Sequence, residues 1–252
     1  MVIEEIVLNK ERNVTLTAYI QGCGDEFPQY DKRPGILVVP GGGYQHCSNR
    51  EADPVAFPYM AAGYQAFILR YSLGEDATWP NPLEDYEQAM ELIKSKSDEW
   101  MVIADKIAIV GFSAGGHLCA AAATMAKNRP QAVILGYPLT GEDTKNWEKT
   151  APDTVPYVDS NTPPCFIFAT KTDATVPVMN SIRFMTALEQ AGVQYECHIY
   201  SYGKHGLSTD TASVKYDFEP STPRFKNWVA DSIGWLGEVL GDFGPEGFAD
   251  GR

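Results

Sequence analysis

The chain has 252 residues and a formal net charge of −13, with 33 Asp and Glu against 20 Lys and Arg. That balance argues against nucleic-acid backbones and anionic membranes as partners, and favours neutral substrates over highly anionic ones. Five cysteines, Cys23, Cys47, Cys119, Cys165 and Cys197, are odd in number, scattered and without a C-x-x-C pair, so neither a disulfide framework nor a zinc knuckle is expected. No window approaches the roughly 20 apolar residues needed to cross a bilayer. The first ten residues carry acids inside a short apolar run, unlike a signal peptide, so a soluble cytoplasmic protein is expected.

Two strands are expected first, Ile3–Leu8 and Val14–Ile20, as an antiparallel, hairpin-type extension. After residue 35, strands and helices alternate. Strands are expected at Ile36–Val39, Gln65–Leu69, Ile107–Val110, Ala132–Gly136, Phe166–Ala169 and Tyr195–Tyr200, several of them continuous apolar runs of the kind covered on both faces. Between them, helical patterns fall at Pro54–Ala62, Pro82–Ser95, Ala114–Lys127, Val178–Ala191 and Arg224–Leu240. This order calls for an α/β fold with a mostly parallel, doubly wound sheet of about eight strands and right-handed crossovers. The stretch from Pro138 to Pro164 is rich in Pro, Thr and Asp and reads as a long loop with one short turn, too short for a helical lid domain. No linker divides the chain, so one domain over residues 1–252 is expected, with 241–252 a frayed tail.

The run Ile107-Ala-Ile-Val-Gly111-Phe-Ser113-Ala-Gly115-Gly116 is a buried strand that stops at Gly-x-Ser-x-Gly and passes at once into an alanine-rich helix. A serine on so tight a strand-to-helix turn projects its hydroxyl out of the sheet, and the helix behind it points backbone N–H groups at any developing oxyanion. Ser113 is therefore the candidate nucleophile, against the blander reading of a glycine-rich turn.

A serine nucleophile needs a base, an orienting acid and an oxyanion hole. Of the four histidines, His46 precedes the serine, His117 lies within the elbow helix and His198 lies inside a strand. His205, in Tyr202-Gly-Lys-His-Gly206, follows the last strand in a glycine-flanked loop that can return over the carboxyl edge of the sheet. Asp173 stands a few residues beyond strand Phe166–Ala169, where an orienting carboxylate belongs; its competing reading is a helix N-terminal acid. Pro40-Gly-Gly-Gly-Tyr44 follows a buried strand, and the expected oxyanion donors are the N–H groups of Gly42, Gly43 and Ala114. Tyr44, Tyr71 and Trp79 follow strand ends and are candidate pocket walls, each equally readable as packing. No metal or organic cofactor is called for; His46 and His117 alone do not make the ligand set of a metal-dependent deacetylase.

Taken together, Pro40-Gly-Gly-Gly-Tyr44, Tyr64-Gln-Ala-Phe-Ile-Leu-Arg-Tyr71, Pro80-x-Pro-Leu-x-Asp85, Gly111-Phe-Ser-Ala-Gly-Gly-His117, Asp173 and His205-Gly206 resemble the α/β-hydrolase superfamily. Within it the chain resembles small bacterial carbohydrate esterases of the acetylxylan and feruloyl esterase kind, related to the hormone-sensitive-lipase group. Lipase-type relatives carry His before the glycines where this chain has Pro40. The resemblance implies a serine esterase for acetyl esters of carbohydrates such as acetylated xylo-oligosaccharides, a small-molecule or oligosaccharide substrate being its partner. Related formamidases that cleave formylkynurenine share the elbow and glycine loop. A formamidase or small peptidase using the same three residues is thus the alternative, and a non-enzymatic binding module would not be expected to keep them all.

Overall fold

A computed structural model describes residues 1–24, 31–215 and 220–241 of the chain; the tail expected to fray lies outside the described residues beyond Gly241. The strands are β1 (Val2–Asn9), β2 (Val14–Ile20), β3 (Arg33–Val39), β4 (Gln65–Arg70), β5 (Val102–Phe112), β6 (Ala132–Gly136), β7 (Cys165–Thr170) and β8 (Tyr195–Tyr200). The helices are α1 (Asp53–Ala61), α2 (Asn81–Ser95), α3 (Ser113–Met125), α4 (Met179–Ala191) and α5 (Trp228–Leu240). All eight strands form one sheet in the order β1-β2-β4-β3-β5-β6-β7-β8. β1 and β2 pair antiparallel, β2 joins β4 antiparallel, and every pairing from β4 to β8 is parallel.

Continuous apolar runs become central strands because each face of the sheet is covered. Along β3, Leu37 and Val39 face one core with α2, α3 and α4, while Ile36 and Val38 face a second core with α1 and α5. On β5, Ile107 and Ile109 join the first core, and Ala108, Val110 and Phe112 the second. The alanine run of α3 lies wholly in the interior, where small side chains let the helix approach the sheet closely.

Several bounds depart from the sequence reading, among them β3, which begins at Arg33 rather than Ile36. β5 begins five residues early, at Val102, because Val102 pairs with Arg33 before a register shift, although Ala104 and Asp105 are exposed. Residues 225–227 form a 3-10 turn, so α5 starts only at Trp228. The long loop holds two 3-10 turns, Glu142–Asn146 and Val155–Tyr157, where one was expected.

The strand order reverses between β3 and β5: from β3 the chain crosses to β4 on one side, then returns through α2 to β5 on the other. The crevice beyond the carboxyl ends of strands at such a switch point is where open α/β sheets bind ligands. Here it is bounded by the glycine loop after β3 and by Ser113 after β5, with Val39 directly opposite Gly111.

Candidate active site

Ser113 sits at φ 52°, a left-handed conformation that costs a non-glycine residue about 1–3 kcal/mol and persists only where the surroundings enforce it. The enforcement is close packing. A Cβ at Gly115 would lie 2.2 Å from the Val39 carbonyl oxygen and 2.4 Å from that of Pro40, so only glycine lets the first turn of α3 seat against the end of β3.

Asp173 and His205 come from the loops that follow β7 and β8. Gly203 ties their loops together: its carbonyl accepts the hydroxyls of Thr170 (2.7 Å) and Thr172 (3.0 Å). Asp173 Oδ1 accepts the N–H groups of Thr175 and Val176, both at 2.9 Å, and its side chain is 1% exposed. Its Oδ2 stands 2.7 Å from His205 Nδ1, and His205 Nε2 stands 2.9 Å from Ser113 Oγ. A carboxylate only accepts, so Nδ1 carries the imidazole proton and Nε2 is left as acceptor for the Ser113 hydroxyl. Ser113, His205 and Asp173, picked from positions 92 and 32 residues apart, thus form one hydrogen-bonded chain.

This chain opens onto a cleft of about 230 Å³ whose lining includes Gly42, Gly43, Ser113 and His205. Gly42 has φ 134°, and a Cβ there would meet the His46 carbonyl oxygen at 2.0 Å; the loop is curled on itself, with Gln45 N–H donating to Gly42 O at 3.0 Å. Ala114 lies in the first turn of α3, whose N–H groups have no intrahelical partner. Among the described residues no three His, Cys, Asp or Glu converge on a common point that could hold a metal.

All three aromatic candidates for the cleft wall, Tyr44, Tyr71 and Trp79, must be corrected. Tyr44 and Tyr71 do not line the cleft: both are fully buried in the core beneath the glycine loop. They are drawn inward because their rings pack edge to face and each hydroxyl finds a partner there. Tyr71 donates to Pro40 O at 2.8 Å, supporting the loop from below at the position where lipase-type relatives have histidine. Tyr44 bonds His117 Nδ1 at 2.6 Å, and His117 Nε2 lies 2.8 Å from the Pro152 carbonyl. Since that carbonyl only accepts, Nε2 bears the proton and Tyr44 donates to Nδ1. Burial pulls the His117 pKa down to about 4, so the ring is neutral. Trp79 is half-buried against the His117 ring rather than at the cleft. His198 stacks on Phe166 and lies 2.6 Å from Glu196 Oε1, whereas the imidazole beside Ser113 Oγ is that of His205.

Sequence reasoning missed Ser48, Arg50, Glu51, Trp147 and Thr175 in the lining. Trp147 is 41% exposed, and its indole covers Gly43, where an added Cβ would meet Cε3 at 2.8 Å. An isolated tryptophan between Lys145-Asn146 and Glu148-Lys149 has no apolar periodicity to place it in a core, and that was a usable signal. Glu51 offered none: it follows Ser-Asn-Arg and reads as an exposed turn, yet it is 3% exposed.

A BD-FAE model matches residues 27–129, and a model of the prolyl oligopeptidase family matches residues 142–232. The acetylxylan esterase of Xylanibacter ruminicola is 30% identical over 208 residues, covering 73% of this chain and 43% of that protein. Endo-1,4-beta-xylanase B of Butyrivibrio fibrisolvens is 32% identical over 208 residues, covering 70% of this chain and 33% of that protein. The chain therefore spans between a third and a half of these curated relatives. The crystal structure of MGS-M1, an α/β-hydrolase enzyme from a Medee basin deep-sea metagenome library, superposes with a TM-score of 0.90 at 41% identity, covering 95% of this chain and 98% of that one. With the nucleophile-elbow geometry at the sheet's switch point and this likeness along nearly the whole of both molecules, the chain belongs to the α/β-hydrolase family.

Proposed function

We propose that this protein is a serine esterase for short-chain esters, acting on acetylated carbohydrates such as xylo-oligosaccharides through an acyl-enzyme. The observation that carries the reading is the Ser113–His205–Asp173 hydrogen-bonded chain at the mouth of the cleft. In this mechanism His205 Nε2 takes the Ser113 proton as Oγ attacks the ester carbonyl. Asp173 holds the Nδ1 proton in place and stabilises the imidazolium. The N–H groups of Gly42, Gly43 and Ala114 receive the oxyanion. His205 then protonates the departing alcohol, and later takes a proton from the water that releases the acyl group and regenerates Ser113.

The substrate class rests on the acetylxylan esterase relative and on the cleft's small size. Each methylene that finds an apolar wall is worth about 0.8 kcal/mol, and a cleft of about 230 Å³ flanked by Arg50, Glu51 and His46 offers little such wall for a long chain. The test is kcat/KM over p-nitrophenyl esters of rising length, followed by acetate release from acetylated xylo-oligosaccharides. Activity greatest at acetate, with acetate freed from the sugars, supports the reading; a maximum at octanoate or longer overturns it. The match of residues 142–232 to the prolyl oligopeptidase family favours one second reading, hydrolysis of an amide by the same three residues. Turnover of formamides or dipeptide amides faster than of esters would select it.

A further inference from the structure

Glu51 is the buried acid that the proposed mechanism does not use. Its Oε2 accepts the Gly41 N–H at 2.9 Å, at the root of the glycine loop, and a Cβ on Gly41 would lie 2.8 Å from that oxygen and 3.0 Å from Ser113 Cβ. Its Oε1 accepts the Tyr137 hydroxyl at 2.6 Å. Tyr137 follows β6, is buried, and sets its ring edge to face against His205 with centroids 5.0 Å apart. The same hydroxyl oxygen accepts the Ser208 N–H at 2.9 Å, three residues beyond His205. Burial, reinforced by Glu51, pushes the Tyr137 phenol far above its usual range, so it stays protonated and donates. The residue before Glu51 joins in: Arg50 Nη1 donates to Gly206 O at 2.9 Å, and the Ser208 hydroxyl donates to Arg50 O.

We propose that Glu51 is a positioning residue that couples two loops of the site, tying the glycine loop through Gly41 and the His205 loop through Tyr137 to a single carboxylate. This rests on the esterase reading of the same site. The chemistry favours a carboxylate: its two oxygens must each accept from a fixed donor, and glutamine can satisfy only one. With its carbonyl toward Gly41, the amide presents NH₂ to Tyr137, and an NH₂ group cannot accept the hydroxyl proton that Glu51 Oε1 now takes. Glu51→Gln should therefore release one loop or the other without emptying space in the core. Because small misplacements of reacting groups can cost on the order of 10²-fold in rate, the loss should appear in the chemical step.

The experiment compares Glu51→Gln, Tyr137→Phe and the double variant with the parent, reading kcat and KM on p-nitrophenyl acetate, the rate of labelling by a fluorophosphonate probe, and the thermal midpoint. The expected result for Glu51→Gln is a fall of about 10- to 100-fold in both kcat and labelling rate, with KM within about threefold. The double variant should fall no more than about threefold further, since both changes break one linkage. A role confined to stability would lower the midpoint and leave kcat of the folded protein intact. Glu51→Gln with kcat and labelling within about twofold of the parent overturns the proposal, as do two effects that simply multiply. If Glu51→Gln does not fold, Tyr137→Phe decides alone, a fall of about fivefold or more supporting and a change within about twofold refuting. A parent that neither hydrolyses esters nor takes the probe fails the esterase reading itself, whereas an active parent with an indifferent Glu51→Gln fails only the role of Glu51.

Discussion

Replacing Asp173 by asparagine changes one oxygen to an NH₂ group and leaves the shape of the side chain alone, so its effect follows from the hydrogen bonds already in place. Oδ1 faces two donors, the N–H groups of Thr175 and Val176, and Oδ2 faces one, His205 Nδ1. If the new amide turned its NH₂ toward Thr175 and Val176, both N–H groups would lose their acceptor, and the buried one, on Val176, would cost about 1–3 kcal/mol. The amide oxygen therefore stays with the pair, and the NH₂ is presented to His205. Imidazole must then accept at Nδ1, which forces its proton onto Nε2, the nitrogen 2.9 Å from Ser113 Oγ. It can no longer take the serine proton. A wrong tautomer of this kind costs roughly 10⁴-fold in kcat, or about 5.5 kcal/mol of barrier at 1.36 kcal/mol per tenfold. Stability should hardly move, because every buried donor keeps a partner; a change of about 1 kcal/mol would shift the thermal midpoint by only about 2–4 °C. The assay is steady-state hydrolysis of p-nitrophenyl acetate beside a thermal melt. Asp173→Asn that keeps kcat within about tenfold of the parent would refute the tautomer argument, and so would a large drop in midpoint with activity retained.

Other expectations follow from neighbouring contacts. His117 has a pKa near 6.5 when unfolded and about 4 in the folded protein. The unfolded chain thus binds the proton more tightly, and stability is full above pH 6.5 and lost as pH falls toward 4, by about 3 kcal/mol in total. His117→Gln should flatten that part of the pH dependence in urea melts, and parallel curves for the two proteins would count against it. Gly115→Ala would drive a methyl into the Val39 and Pro40 carbonyls, 2.2 and 2.4 Å away; it should cost about 1–3 kcal/mol or more and most of the activity, and an alanine protein of unchanged melting and rate would contradict the close-approach argument. If the exposed Trp147 is a platform for the sugar, Trp147→Ala loses a ring contact worth roughly 0.5–1.5 kcal/mol. That should lower kcat/KM by about two- to tenfold on acetylated xylo-oligosaccharides while sparing p-nitrophenyl acetate, and equal losses on both would argue against it.

How far the chain could be read in advance depended on whether the deciding contacts were local. Ile36–Val39 and Ile107–Val110 announce covered parallel strands because both alternating faces are apolar. That Ser113, Asp173 and His205 meet is expected because each follows a strand end, and doubly wound topology brings those ends to one edge. The hydroxyls of Tyr44 and Tyr71 misled, since a tyrosine at a strand end looks the same whether its partner is a ligand or, as here, His117 and the Pro40 carbonyl. Glu51 was invisible for a related reason. Its partners Gly41 and Tyr137 stand 10 and 86 residues away and meet it only across the switch point, so no spacing marks it.

The central claim is that the Ser113 hydroxyl is the nucleophile. The measurement that tests it most directly is intact-mass and peptide mapping after reaction with a fluorophosphonate probe, run on the parent and on Ser113→Ala. The account predicts one adduct per chain on the peptide containing Ser113, labelling that keeps pace with loss of esterase activity, and no adduct on the folded alanine variant. An adduct on another residue, or an alanine variant that still labels and still hydrolyses esters, would contradict it.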